Sequence, residues 1–201
     1  MSPHHTPQSH RPVVMAAVVA VAAAVLAGMI AMLPGSAQAD HEARGPATQN
    51  TWHQRVVTVK SSVVTAWGVN KAVRQWNDRR VDGQPILVTR NNIDHPDIVI
   101  RGVFNRDGWT GLTEFEVDES NHSFEHITVS LNMKTVHQPA YEYDGSFDAV
   151  MQETTSHELG HALGLPHFQN VTRSVMSYNT PWWETHGLPS GFDFARLARL
   201  Y

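Results

Sequence analysis

Apolar and polar positions recur with two different periods along this chain, and the changes of period mark its elements. Between Ser61 and Asn77, Val63, Ala66, Trp67, Val69, Val73 and Trp76 fall near every third or fourth position. That spacing predicts a helix with one buried face, and Ser61 or Ser62 supplies an N-cap. Asp82-Gly83-Gln84-Pro85 is a turn signal, and the valine- and isoleucine-rich stretches Ile86–Thr89 and Ile98–Phe104 read as strands. Residues 105–125 are rich in glycine and acids and read as turns. From His126 to Asn132 the period drops to two, with Ile127, Val129 and Leu131 on one side, which predicts a strand with one exposed face. Residues 133–147 read as a loop. A second helix is predicted from Asp148 to Leu163, capped by Ser146 or Asp148 and ended by Gly164 and Pro166. Phe192–Tyr201 reads as a short terminal helix. Helix, strands, helix, irregular region and final helix together predict an α+β domain, with long helices packed on a twisted sheet.

The first 39 residues follow a different logic. Arg11 lies in a short polar start, Val13–Leu33 is an unbroken apolar run, and Pro34-Gly35-Ser36 leads to Ala37-Gln38-Ala39. A basic start, an apolar centre and an A-x-A ending describe a secretory signal peptide cleaved after Ala39. The alternative is an uncleaved membrane anchor over 13–33. The expected organisation is therefore a signal peptide at 1–39, a flexible segment at 40–51 and a catalytic domain at 52–201. Arg11 is the one charged residue before Asp40, so the remaining 162 residues carry 14 basic and 19 acidic side chains, a formal charge of −5. Such mild acidity gives no reason to expect nucleic-acid binding. There is no cysteine, although export permits disulfides, so packing must hold the domain together, with bound metal a further candidate.

The candidate chemistry lies in His157-Glu158-Leu159-Gly160-His161-Ala162-Leu163-Gly164-Leu165-Pro166-His167. Histidines four apart on a helix project from one face and can reach one ion. A third ligand cannot follow on a straight helix, so the chain must turn back, and Gly164 stands where a left-handed residue would make that bend. Three neutral imidazoles leave zinc dicationic with one open position, as a catalytic site requires. Glu158, next to His157, is placed to take the proton from a water in that position as it attacks a peptide carbonyl, and to pass the proton to the leaving amine. With histidine at 13 of 201 positions, the five fixed letters arise by chance on the order of once in several thousand such chains.

H-E-x-x-H-x-x-G-x-x-H with a later methionine turn, here Ser174-Val175-Met176-Ser177-Tyr178, resembles the metzincin metalloproteases. The Met-x-Tyr form looks like that of astacins and serralysins, while the order of helices and strands is similar to matrixins, as in a matrixin-like bacterial secreted peptidase. The resemblance covers roughly Trp52 to Tyr201. It implies a zincin catalytic domain with a twisted mixed sheet on two long helices, a small irregular C-terminal lobe and a terminal helix. It implies His157, His161 and His167 as zinc ligands, Glu158 as catalytic base, Tyr178 as a catalytic residue stabilising the oxyanion, and Met176 as the apolar floor of the site. It also implies that an extended peptide adds as a strand to the sheet edge, taken to be Ile127–Leu131, and that Asp193 anchors the terminal helix near the methionine turn. Phe168 matches neither the acid nor the serine usual after the third histidine.

The function expected is a secreted, monomeric zinc endopeptidase acting on protein or peptide substrates, with no nucleic-acid partner and no stable membrane association once the signal is cleaved. The alternatives are a catalytically inactive zinc-binding recognition domain and a hydrolase of a non-protein or cell-wall amide. Calcium is a further candidate through Asp107, Asp118, Glu119, Asp144 and Asp148, and His95, His122, His126, His137 and His186 are candidates for a second zinc.

Overall fold

The computed structural model describes residues 40–44, 50–63, 66–142, 146–169, 171–177 and 185–201. The expected signal peptide and Tyr178 lie outside them.

Six strands form one mixed sheet in the order β1-β5-β6-β4-β2-β3. They are β1 (Asp40–Arg44), β2 (Val56–Ser61), β3 (Ile86–Thr89), β4 (Ile98–Val103), β5 (Trp109–Asp118) and β6 (Ser123–Asn132). Neighbours run parallel except β5 and β6, which form an antiparallel hairpin. Its turn is held by the Asp118 carboxylate, which accepts from Ser120 N at 2.9 Å, Ser120 Oγ at 2.6 Å and Asn121 Nδ2 at 3.0 Å. These bonds lower the Asp118 pKa, because they favour its charged form.

Helix α1 (Ala66–Asp78) buries Val69, Ala72, Val73 and Trp76, a stripe at helical spacing. Trp67, which the periodicity assigns to the same face, is instead 52% exposed and carries Lys71 over its ring. Helix α2 (Met133–Glu142) and helix α3 (Phe147–Ala162) follow β6, and α4 (Gly191–Leu197) closes the fold. α1 and α3 cross at Gly68, where an added Cβ would stand 3.0 Å from Gln152 N and 3.1 Å from Met151 Cβ. Trp76 Nε1 donates to Ser156 O at 2.8 Å, locking the two long helices in register. One continuous core runs from Val57, Val59, Ile98, Ile100, Ile127 and Val129 on the sheet to Trp76, Met151, Leu159 and Leu163 on the helices.

Five expectations need correction. Ser61, read with Ser62 as an N-cap of the first helix, lies in β2, and α1 begins at Ala66. Ile127–Leu131 is not an edge: β6 lies between β5 and β4, and the sheet continues past β5 into β1. Residues 109–118, read as turns, form β5, because pairing with β6 overrides the weak local signal of glycine and acids. Residues 133–142, read as loop, are helical despite Pro139. Asp40–Arg44, read as a flexible start, pairs with β5 through Glu42↔Leu112 and Ala43↔Thr113.

Candidate metal centre

Every residue of α3 from Val150 to Ala162 is buried except Glu153. The buried set includes Gln152, Thr154, Thr155, Ser156, His157, Glu158 and His161. Burying polar groups costs free energy unless they find partners, so this helix is not ordinary core.

Its C-terminus is built to reverse the chain. Leu165 N donates to Gly160 O at 2.9 Å and Gly164 N to His161 O at 2.8 Å, the paired bonds of a Schellman ending. Gly164 has φ +95°, and a Cβ there would press to 2.7 Å from Asn50 O. Glycine is thus required for both conformation and space. Trp52 Nε1 donates to Ala162 O at 2.8 Å and the Tyr201 hydroxyl to Leu163 O at 3.4 Å, which satisfies carbonyls that the helix end leaves unpaired. Burial pushes the Tyr201 pKa up. The reversal carries His167 back toward the helix.

The three imidazoles converge. His157 Nδ1 lies 2.6 Å from Val175 O and His161 Nδ1 lies 2.7 Å from Leu165 O. A carbonyl only accepts, so both Nδ1 atoms carry protons, and in the neutral rings both Nε2 atoms present lone pairs. His167 Nε2 lies 3.0 Å from His157 Nε2 and 3.2 Å from His161 Nε2. A cation at the centre of the three Nε2 atoms would lie within reach of all of them. Tetrahedral bonds of about 2.05 Å put donor nitrogens about 3.3 Å apart, close to the spacing found. The residues present therefore fit a metal, and this cluster could hold one.

Opposite the histidines stands β5. The Thr113 hydroxyl donates to Glu158 Oε2 at 2.5 Å and approaches Glu158 O at 3.3 Å, and both residues are fully buried. Gly111 makes room for that carboxylate, since a Cβ there would overlap it. Beneath the helix, Met176 packs against Gly160, where a Cβ would collide with its sulfur. The loop bearing Met176 is held by Phe168 N to Met176 O at 2.9 Å and by Asp193. Asp193 Oδ1 accepts from Ser174 Oγ at 2.5 Å, and Oδ2 accepts from Val175 N at 3.2 Å and from Ser190 N at 2.7 Å. Ser190 and Asp193 also form the capping box of α4. One line of contacts thus runs from α4 through Asp193 to Val175, whose carbonyl orients His157. Such outer partners fix the ring and tautomer of a ligand.

Among the described residues this is the one group of three or more histidines and acids able to share an ion. His126 instead meets Pro96 O at 3.1 Å, and His137 stacks on Phe147. Asp107, Asp118, Glu119 and Asp148 form no such group of three or more among the described residues, and Asp144 lies outside them. Thr113 and Glu153 carry no motif in the sequence, and Gly111 reads there only as part of a turn-rich stretch. The only local signal available was that glycine and threonine punctuate an otherwise acidic, aromatic stretch.

No family model matches this sequence, and no curated protein matches it. Among solved structures, the chain is similar to the crystal structure of myroilysin. The identity is 14% and the TM-score 0.51, and the match covers 84% of this chain and 96% of that one. At that identity the likeness speaks for the fold.

Proposed function

We propose that this protein is an exported zinc endopeptidase of the metzincin kind. Convergence of three Nε2 atoms beside a carboxylate held by Thr113 carries the reading. The fold shared with myroilysin, a metalloprotease, supports it. Bound at His157, His161 and His167, zinc would supply Lewis-acid polarisation of the scissile carbonyl and acidify the attacking water. Glu158 takes the proton of that water and delivers it to the departing amine. Thr113 restricts the Glu158 carboxylate to one rotamer, and burial keeps bulk water from competing for it. Met176 supplies an apolar floor under the histidines, and Tyr178 is assigned to the oxyanion. An extended peptide could pair along β5, the strand that faces Glu158, only by displacing β1 from that side. Among the described residues no helix is long and apolar enough to cross a membrane. Export by cleavage after Ala39 is checked by N-terminal sequencing of secreted material.

Retention of Glu158 beside the histidines favours catalysis over a purely recognising zinc module. Glu158→Gln keeps the shape and removes the base. It should reduce peptide hydrolysis by about 10²–10⁴-fold while zinc content stays at one per chain. Activity surviving in the variant would overturn the mechanism. Cleavage profiles on peptide libraries separate an endopeptidase, which cuts internal bonds, from a hydrolase of other amides.

A further inference from the structure

Without β1 the sheet would end at β5, whose other side is taken by β6. β1 covers that edge in parallel register: Glu42 pairs with Leu112, Ala43 with Thr113 and Arg44 with Glu114. The Thr113 hydroxyl is the group that donates to the Glu158 carboxylate, and Gly111 leaves the room which that carboxylate fills. Neighbouring strands lie about 4.8 Å apart, so the backbone at Ala43 runs one strand spacing from the residue that holds Glu158. β1 therefore occupies the hydrogen-bonding edge of the strand that faces the site.

A bare strand edge offers N–H and C=O groups to any extended chain. A segment of the same chain competes for that edge at the high effective concentration that tethering gives. Signal cleavage after Ala39 would not remove this competitor, because Asp40 would then be the first residue. The domain itself is anchored from Asn50 onward. Thr51 N donates to His122 O at 3.1 Å, Thr51 O accepts from Phe124 N at 3.1 Å, and the Trp52 indole donates to Ala162 O at 2.8 Å. A cut within 45–49 would free β1 and leave these anchors in place.

Resting on the endopeptidase reading, we infer that β1 is an autoinhibitory strand, which holds the substrate-binding edge of β5 by main-chain pairing until it is displaced or cut away. A peptide reaches that edge only in molecules whose β1 has opened. The strand therefore raises KM as the open fraction falls, and leaves kcat at saturating peptide unchanged.

The test uses zinc-loaded protein beginning at Asp40. Successive main-chain N–H groups of a strand point to opposite sides, and proline has no N–H. Glu42→Pro combined with Ala43→Pro thus removes whichever of the two N–H groups faces β5. KM for an internally quenched peptide should fall about 10-fold or more, with kcat within about twofold of the wild type. A chain beginning at Gly45 should match the proline pair. An unchanged KM in both overturns the assignment. Asp40→Ala, His41→Ala and Glu42→Ala leave the main chain able to pair and should keep KM within about twofold of the wild type. A fall in any of them as large as that of the proline pair would place the block in a side chain and overturn the main-chain reading. A further measurement needs no catalysis. The amides of Trp109–Glu114 should exchange hydrogen faster in the proline pair than in the wild type, and equal exchange overturns the pairing. A protein that cuts no peptide in any form, while showing that faster exchange, would sink the endopeptidase reading and leave the hold of β1 on β5 standing.

Discussion

Replacing Asp193 with alanine tests the contact line that ties α4 to the metal ligands. The buried carboxylate accepts from Ser174 Oγ, Val175 N, Ser190 N and Ser190 Oγ. Hydrogen bonds to a charged group are worth about 1.5–3 kcal/mol each. They do not add here, because half-buried Ser190 regains water once the carboxylate is gone. Ser174 and Val175 are 1% and 3% exposed and do not regain it, which leaves a net loss of about 3–5 kcal/mol. For a domain of this size each kcal/mol is worth about 2–4 °C, so the metal-free protein should melt about 10 °C lower. Freeing Val175 N also frees the carbonyl that fixes His157 Nδ1. Metal affinity should then drop by about 10–100-fold, the usual effect of losing an outer partner. Thermal unfolding in excess chelator measures the first effect, and competition against a chromogenic chelator the second. A variant that melts within about 2 °C of the wild type and binds metal equally well would refute the claim that Asp193 organises the site.

Thr113→Val keeps the shape of the side chain and removes the hydroxyl that holds Glu158. Losing about 1–2 kcal/mol of positioning should lower kcat by about 5–30-fold with little change in KM or zinc content, while Thr113→Ser should retain most of the activity. A fall in KM-related binding alone, or no rescue by serine, would assign Thr113 to structure only. The pH dependence of stability carries a second signature. The Glu153 pKa rises from 4.5 to about 8 on folding, so between those values the unfolded chain has lost a proton that the folded chain retains. Stability from this group is therefore lost as pH rises from about 4.5 to about 8 and changes no further above it. Urea unfolding across that range should show this slope in the wild type and not in Glu153→Gln, and parallel curves would contradict the burial of an unpaired acid.

The ligand stretch was legible because it depends on local physics. Helical spacing aligns His157 with His161, and glycine alone serves at φ +95° with Asn50 O pressed against it, so His167 returns wherever the rest of the chain goes. The bounds of β3, β4 and α3 were readable within a residue or two for the same reason: periodicity and capping at Ser146 act over a few residues. Other features are pairings between distant segments. β5 is a strand because β6 lies beside it, and β6 is interior because β5 and β1 continue the sheet. Thr113 and Gly111 gain meaning only when Glu158, some 45 positions away, is packed against them. Glu153 belongs to no motif in the chain. Only the docking of the 185–187 turn deprives it of water, because desolvation is set by what surrounds a group and not by its neighbours in sequence.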